Sequence, residues 1–221
     1  MLYVIGTPIG NLSDITLRAL EALKSADVIA AEDTRHSGIL LRHFEIRKPL
    51  VSYHEHNEAM RTAELSERLS AGETVALISD AGMPGISDPG ARLIRACIER
   101  ELPFAIIPGV SAVLTALVGS GFSMEQFCYR GFLPPKSGGR ERELRAAADR
   151  AETTVFFESP HKINKTLAAC AAIMPDRQIC VARELTKKFE EFRRGKAADL
   201  LAHYEVRPAK GEITLVISGL G

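Results

Sequence analysis

The chain has 221 residues, and its 28 Lys and Arg residues balance 28 Asp and Glu residues, so the formal net charge is zero. This balance excludes a protein-wide basic field, and any nucleic acid would have to be bound by a local patch. The 46% hydrophobic content suffices for a large core, while the sequence has neither a long apolar run nor a signal-peptide pattern, which predicts a cytoplasmic protein without membrane contact.

The first half of the chain alternates short apolar runs with amphipathic segments. Strands are predicted at 2–6, 27–33, 49–54, 74–78 and 104–109, and helices at 15–26, 37–44, 57–72 and 91–101. Ser13 or Asp14 is expected to cap the first helix, and Gly72 is expected to end the third. Alternation of this kind predicts a mostly parallel sheet with helices on both faces.

The second half differs because several predicted strands follow one another without an intervening helix. Its strands are predicted at 127–134, 153–160, 177–186, 189–195 and 212–218, and its helices at 108–122, 140–151 and 161–174. Strands connected in this way favour antiparallel pairing, and hence a mixed sheet. We therefore expect an α/β protein of two domains, an N-terminal domain at 1–112 and a C-terminal domain with a mixed sheet at 113–221.

Three turns rich in small residues follow predicted strands of the first half: GTPIGN (6–11), SDAGMPGISDPG (79–90) and PGVSA (108–112). None has the Gly-x-Gly-x-x-Gly spacing of a dinucleotide-phosphate loop, and Pro8 lacks an amide that a phosphate would use. Asp80 and Asp88 would repel a phosphate but suit ribose hydroxyls, an ammonium, a sulfonium or a Mg²⁺ ion. Asp88 is predicted to cap the helix that begins at Ala91, which leaves Asp80 as the better ligand candidate.

Polar clusters follow two other strands. AEDTRHSG (31–38) is either a salt-bridged surface loop or a substrate-facing site, and SYHEHNE (52–58) places His54 and His56 on one face of a predicted strand. A His-x-His pair without a third ligand argues against a metal site. The four cysteines form no Cys-x-x-Cys pair and are predicted to be small buried side chains.

Lys and Arg residues concentrated in the second half of the chain form either solvated faces or one local basic surface. They are Lys136, Arg140, Arg142, Arg145, Lys187, Lys188, Arg193, Arg194 and Lys196.

Taken together, several segments resemble one family closely and in the same order along the whole chain. They are GTPIGNLSDITLRAL, AAEDTRHSG, HEHNE, SDAGMPGISDPG, PGVSA, FCYRGFLP, FFESPHK and ARELTKKFEE. The chain resembles the ribosomal RNA small-subunit methyltransferase I family of tetrapyrrole-methylase-like enzymes, which use S-adenosylmethionine. The resemblance implies a two-domain tetrapyrrole-methylase-like fold, a donor cleft between the domains, and a homodimer. It also implies methyl transfer to the ribose 2′-hydroxyl of a cytidine in the decoding region of 16S ribosomal RNA, with the small ribosomal subunit as partner.

The resemblance also assigns residues, with no metal expected. The donor would be bound by Pro8, Asp80, Ala81, Gly82, Met83, Ser111 and Ala112, and by the backbone near Glu158, Leu185 and Ile213. A 2′-hydroxyl is a poor nucleophile, so a general base or a polarising cation would help. The candidates for this role are Glu32, Asp33, Arg35, His36, His54 and Glu158, and the cluster at 31–36 is favoured.

Three other functions are compatible with parts of the sequence. A methyltransferase acting on a tetrapyrrole or another small molecule would use the same donor site, although AEDTRH and HEHNE match the RNA branch. A non-catalytic module that binds the donor or the ribosome is the second. A nicotinamide-dependent Rossmann enzyme is the third, and the missing phosphate-loop spacing argues against it.

Overall fold

The computed structural model describes residues 1–220 and contains two compact units. The first unit is Met1–Ser111 and the second is Ala112–Gly221, so that the division lies one residue before the predicted boundary. None of the helices within residues 1–220 is long and apolar enough to cross a membrane.

The first unit is a five-stranded sheet in the order β3-β2-β4-β1-β5, with every neighbouring pair parallel. Its strands are β1 (Leu2–Ile5), β2 (Val28–Ala31), β3 (Leu50–Ser52), β4 (Val75–Ile78) and β5 (Phe104–Ile107), and its helices are α1 (Leu17–Ser25), α2 (Thr34–His43), α3 (Glu58–Ser70) and α4 (Ala91–Glu99). Leu23 of α1 and Leu41 of α2 share one apolar cluster with the sheet, whereas Leu65 of α3 and Leu93 of α4 share another. Because successive strand residues face opposite sides, helices cover both faces, and the predicted fold of this half is confirmed.

Several local predictions for the first unit were wrong. Thr16 caps α1, because its side chain accepts a hydrogen bond from the Ala19 amide. The predicted caps Ser13 and Asp14 instead belong to a preceding 3₁₀ turn at Leu12–Asp14. The third strand ends at Ser52, so His54 lies in the turn before α3 instead of on a strand face. Three cap-forming residues within four positions and a short strand explain both errors.

The second unit is a mixed five-stranded sheet in the order β6-β7-β10-β8-β9, in which only β6 and β7 are parallel within the described residues. Its strands are β6 (Phe127–Phe132), β7 (Thr153–Glu158), β8 (Gln178–Arg183), β9 (Glu191–Lys196) and β10 (Ile213–Ile217), and its helices are α5 (Ala112–Ser120), α6 (Ser137–Ala148), α7 (Ile163–Ile173) and α8 (Ala197–Val206). Leu144, Leu167 and Leu200 of α6, α7 and α8 join one core cluster with the sheet. The predicted mixed sheet is confirmed.

The cysteines are all free, and three of them are buried. Burial raises the pKa of the Cys97 thiol, that of Cys170 to about 12 and that of Cys180 to about 11. Only Cys128 is half-buried among the four. These side chains therefore act as small apolar groups, as predicted.

Candidate functional site

The five strands of the first unit end at one edge of the sheet, and the turns that follow them meet there. The strand order places β4 beside both β1 and β2, and β1 beside β5. The turns GTPIGN, SDAGMPGISDPG and PGVSA and the cluster AEDTRHSG are therefore neighbours in space. In open parallel sheets this carboxyl edge is where ligands bind.

Two of these turns are joined by a short antiparallel bridge between Thr7 and Gly82. The Thr7 amide donates to the Gly82 carbonyl at 2.8 Å, and the Gly82 amide donates to the Thr7 carbonyl at 3.0 Å. The buried Thr7 hydroxyl also donates to the Ser79 carbonyl at 3.3 Å. Gly82 has a φ of +75°, a conformation that favours glycine. The bridge holds Pro8 and the start of the glycine-rich loop in fixed relative positions.

The turns after β1 and β5 approach each other so closely that both need glycine. A Cβ on Gly109 would lie 2.7 Å from the Gly6 carbonyl oxygen, and a Cβ on Gly6 would lie 2.8 Å from the Gly109 nitrogen and 3.3 Å from Met83 Sδ. Neither contact leaves room for a side chain. The sequence indicated that Gly6 belonged to a tight turn or a ligand loop, and it gave no sign of this pairing with Gly109.

The loop at 79–90 contains further conformations that are uncommon for ordinary residues. Gly85 and Gly90 have φ values of +84° and +143°, and Ser87 has a φ of +63°. The predicted cap of α4 at Asp88 was wrong, because Gly90 occupies the cap position. Instead Glu58 of α3 reaches across, and its Oε1 accepts the Gly90 amide at 3.2 Å.

Asp80 connects two strand ends through its side chain. Its Oδ1 accepts a hydrogen bond from the Asp33 backbone amide at 2.9 Å, which links the end of β4 to the end of β2. Burial and, after it, the Asp80 carboxylate raise the pKa of Glu32. Asp80 thus places a fixed negative charge at the centre of the carboxyl edge.

The cluster at 31–38 separates into two environments. Asp33 forms a two-point ion pair with Arg35, whose hydrogen bonds lower the Asp33 pKa far below its usual value. The Arg35 side chain is 90% exposed, and His36 is also exposed. Glu32 is half-buried, and burial followed by the Asp80 charge raises its pKa, against the opposing effects of the Asp80 backbone amide and His54. Glu32 is therefore the more basic carboxylate of this cluster.

The histidine pair has no metal-binding geometry. The rings of His54 and His56 meet edge to face with centroids 6.0 Å apart. Within residues 1–220, no group of three or more His, Cys, Asp or Glu side chains is arranged to hold a metal ion.

The predicted positions in the second unit lie at one end of its sheet. Ile213, at the start of β10, pairs with Glu158 on one side and Arg183 on the other. Leu185 is buried between Glu184 and Thr186, whose φ values are +51° and +64°. Non-glycine residues in this conformation cost about 1–3 kcal/mol each and concentrate at functional sites.

The side chain of Glu158 is already engaged within its own unit. It is 4% exposed, its Oε1 accepts the Ser159 amide at 2.7 Å, and its Oε2 accepts the Thr166 hydroxyl at 2.5 Å. Both carboxylate oxygens therefore stabilise the turn from β7 into α7. The remaining predicted donor positions, Ser111 and Ala112, form the last residue of the first unit and the first residue of α5.

Much of the predicted basic surface is neutralised by neighbouring groups. Lys187 bridges Glu184 and Glu212, Arg193 pairs with Glu191, and Lys196 pairs with Asp176. Arg194 donates to the carbonyl of Ser120, and Arg140 is buried. The sequence could not reveal the pairs with Glu212 and Asp176, because these two carboxylates are distant in the chain.

Comparison with known proteins identifies relatives along the whole chain. The profile of the tetrapyrrole (corrin/porphyrin) methylases matches residues 1–201. The chain is similar to proteins named ribosomal RNA small subunit methyltransferase I from Synechocystis sp. (46% identity, 99% of this chain and 79% of the relative), Bacillus subtilis (45%, 99% and 75%) and Thermotoga maritima (44%, 99% and 98%).

Solved structures of methyltransferases share this fold. Uroporphyrin-III-C-methyltransferase from Thermus thermophilus superposes with a TM-score of 0.70 at 23% identity, over 98% of this chain and 93% of that structure. The methyltransferase CobJ superposes with a TM-score of 0.72 at 21% identity, over 99% and 94%. At these identities the likeness shows the fold alone.

Proposed function

Because the chain belongs to the tetrapyrrole methylase family, and within it to the ribosomal RNA small subunit methyltransferase I proteins, we propose that it methylates the ribose 2′-hydroxyl of a cytidine in the decoding region of 16S ribosomal RNA. The methyl donor of this family is S-adenosylmethionine. The observation that carries the proposal is the 44–47% identity to relatives of that name over nearly all of this chain.

The residues at the carboxyl edge of the first unit fit this donor. S-adenosylmethionine carries a positive sulfonium and a ribose but no phosphate. The edge offers the anchored Asp80 carboxylate, together with backbone exposed by small residues. The donor-binding residues we propose here are Pro8, Asp80, Ala81, Gly82, Met83, Ser111 and Ala112.

A second group of proposed donor contacts comes from the sheet end of the second unit, at Glu158, Leu185 and Ile213. Their backbone is the part we assign to the donor, since the Glu158 side chain is occupied by Ser159 and Thr166. The two left-handed residues on either side of Leu185 support this assignment, because the fold maintains an unfavourable backbone there.

The reaction requires positioning more than bond activation. The hydroxyl oxygen forms a bond to the methyl carbon while the bond from carbon to sulfur breaks, so the three atoms must be in line. Holding two reactants in such a geometry contributes about 7–11 kcal/mol to lowering a barrier. A positioned base adds about 10²–10⁴-fold by taking the hydroxyl proton.

The test uses small ribosomal subunits from cells that lack this protein. The purified chain is incubated with labelled S-adenosylmethionine and either assembled subunits or naked 16S ribosomal RNA, and the methylated nucleoside is identified by mass spectrometry. We expect one ribose-methylated cytidine, formed more readily in assembled subunits. Label on a base, label on a different nucleotide, or transfer to a tetrapyrrole alone would contradict the proposal.

We also propose that the protein is a homodimer. Light scattering during size-exclusion chromatography should give twice the mass of one chain, and the mass of a single chain at working concentrations would exclude the dimer.

A further inference from the structure

The turn between β3 and α3 contains an asparagine whose side chain bonds to the turn instead of capping the helix. Asn57 occupies the cap position of α3, yet its side chain does not cap the helix. Its Oδ1 accepts the His54 backbone amide at 2.8 Å, and its Nδ2 donates to the Ser52 carbonyl at 3.1 Å. A backbone amide only donates and a carbonyl only accepts, so these two bonds fix which end of the side-chain amide is oxygen.

The orientation of Asn57 determines the tautomer of His54. The Asn57 Nδ2 lies 3.2 Å from His54 Nε2. An amide nitrogen donates and does not accept, so Nε2 is the acceptor in this contact, where Nδ2 shares its two hydrogens among His54, the Ser52 carbonyl and the Ser52 hydroxyl at 3.1 Å. The neutral His54 imidazole therefore carries its proton on Nδ1.

The proton fixed in this way has no acceptor in the unliganded protein. Within the described chain, residues 1–220, His54 Nδ1 is buried and lacks a hydrogen-bond partner. Buried donors are nearly always satisfied in folded proteins, and an exception often marks a site that is completed by a ligand or by a catalytic rearrangement.

Glu32 is the carboxylate at the end of the strand next to the one that precedes His54. It follows β2, which pairs with β3 so that Ala31 is opposite Ser52, and the Tyr53 amide donates to the Ala31 carbonyl at 2.8 Å. Glu32 and His54 thus lie just beyond a fixed strand pair, one residue after Ala31 and two residues after Ser52. A positive charge on His54 would lower the Glu32 pKa. The other charged groups acting on Glu32 are Asp80 and Asp33.

We propose that Glu32 accepts the proton of the attacking hydroxyl, and that His54, held as its Nδ1–H tautomer by Asn57, orients the Glu32 carboxylate in the substrate complex. The proposal rests on the proposed function, since it assumes methyl transfer to a hydroxyl. The oxygen lone pair forms the bond to the methyl carbon, the electrons of the carbon–sulfur bond pass to sulfur, and the hydroxyl proton passes to Glu32. Glu32 is then the catalytic residue, and His54 and Asn57 are positioning residues.

The other acidic candidates are less suited to this role. Asp33 is paired with Arg35, which makes its carboxylate a weak base. Asp80 already accepts the Asp33 amide. Both oxygens of the buried Glu158 are engaged by Ser159 and Thr166. Catalytic hydrogen bonds are often long without substrate and tighten when it binds, which accommodates the unpartnered His54 Nδ1.

The first experiment reads the tautomer without any reaction. Nitrogen-15 NMR of histidine-labelled protein should show His54 protonated at Nδ1, and Asn57→Asp should move the proton to Nε2, because a carboxylate accepts where the amide donated. A wild-type His54 protonated at Nε2 would overturn the proposal. His56→Ala serves as the control, since it leaves the contacts of Asn57 in place and should not change which nitrogen of His54 is protonated.

The second experiment measures kcat on small subunits together with donor affinity by calorimetry. Glu32→Gln should lower kcat by about 10²–10⁴-fold and leave donor affinity nearly unchanged. His54→Asn keeps a donor near the Nδ1 position and should retain most activity, whereas His54→Gln places its donor near Nε2 and should lose about as much as His54→Ala. Circular dichroism checks that each variant folds, and His56→Ala should match the wild type.

The outcomes separate the two proposals. Wild-type transfer to subunits is measured first, and its absence would contradict the proposed function together with this inference. With an active wild type, an unchanged kcat in Glu32→Gln contradicts only the role of Glu32. Equal activity of His54→Asn and His54→Gln contradicts the positioning role of the Nδ1 proton.

Discussion

Replacing Gly109 by alanine should disturb the donor side of the site through a single backbone contact. The added Cβ would lie 2.7 Å from the Gly6 carbonyl oxygen and 2.8 Å from the Gly6 carbonyl carbon, whereas ordinary contacts begin at 3.4 Å. The turns after β1 and β5 must therefore separate by about 0.7 Å. Both partners are backbone atoms, so no side-chain rotation relieves the contact.

The cost follows from the size of this overlap. Forcing extra carbon into a packed site costs about 1–3 kcal/mol, and for a chain of this length each kcal/mol lowers the thermal midpoint by about 2–4 °C. We expect donor affinity to fall roughly tenfold, about 1.4 kcal/mol, because the same separation displaces the turns proposed to bind it. The two quantities are measured by thermal unfolding and by calorimetry with S-adenosylmethionine.

Gly38→Ala provides a matched control within the same unit. Gly38 lies inside α2, and a Cβ there would meet nothing within 4 Å. Alanine should stabilise this helix by about 0.5–1 kcal/mol and leave donor affinity unchanged. A Gly109→Ala protein with the wild-type midpoint and affinity would refute the reasoning, as would equal effects of the two substitutions.

Three further predictions concern charge and thiol chemistry. Asp80→Ala should lower the free energy of unfolding by about 1–3 kcal/mol, because the Asp33 amide loses its acceptor. Asp80→Asn keeps an acceptor and should cost less. Both variants should weaken donor binding in calorimetry, and unchanged affinity would contradict the role of the charge. The raised pKa of Glu32 predicts that kcat falls as pH falls through that pKa, which lies above the usual 4.5. In a pH–rate profile, Asp80→Asn should shift this acidic limb to lower pH, because a nearby negative charge is removed. A thiol reagent at pH 8 should modify only Cys128 in the native protein, because the other three thiols are buried and burial raises the pKa of Cys170 to about 12. Rapid reaction of a second thiol would show that the core opens.

Most strands and helices, and the carboxyl edge of the first sheet where the candidate site lies, could be predicted from the sequence alone because they depend on local patterns. The apolar run at Val75–Ile78 is bounded by a polar turn on one side and a glycine-rich loop on the other, which is typical of a buried parallel strand. Parallel strands place their carboxyl ends together, so the neighbouring turns could be predicted without coordinates. Most of the strand and helix order could be predicted for the same reason, whereas α8 (Ala197–Val206) was not predicted.

Pairwise relations between distant residues could not be predicted in this way. Positions 6 and 109 require glycine because a Cβ at either one would clash with the backbone of the other. The sequence of neither turn alone indicates this clash. Capping of α4 by Glu58 is similar, since the acceptor comes from another helix while Asp88 in the adjacent loop offered a plausible local alternative. Local cap rules choose among nearby residues and miss partners contributed by tertiary packing.

The contrast between Glu32 and Asp33 shows how the structure assigns chemistry to adjacent, chemically similar residues. Arg35 lowers the pKa of Asp33, whereas burial and Asp80 raise that of Glu32. Asp80 contributes to both environments, because its carboxylate fixes the Asp33 amide while its charge makes Glu32 more basic. Environments that separate two carboxyl pKa values are how one site obtains distinct acid–base roles from the same functional group. The proposed base therefore follows from the order of neighbours around β2 and β4, and not from the acidic composition of the segment.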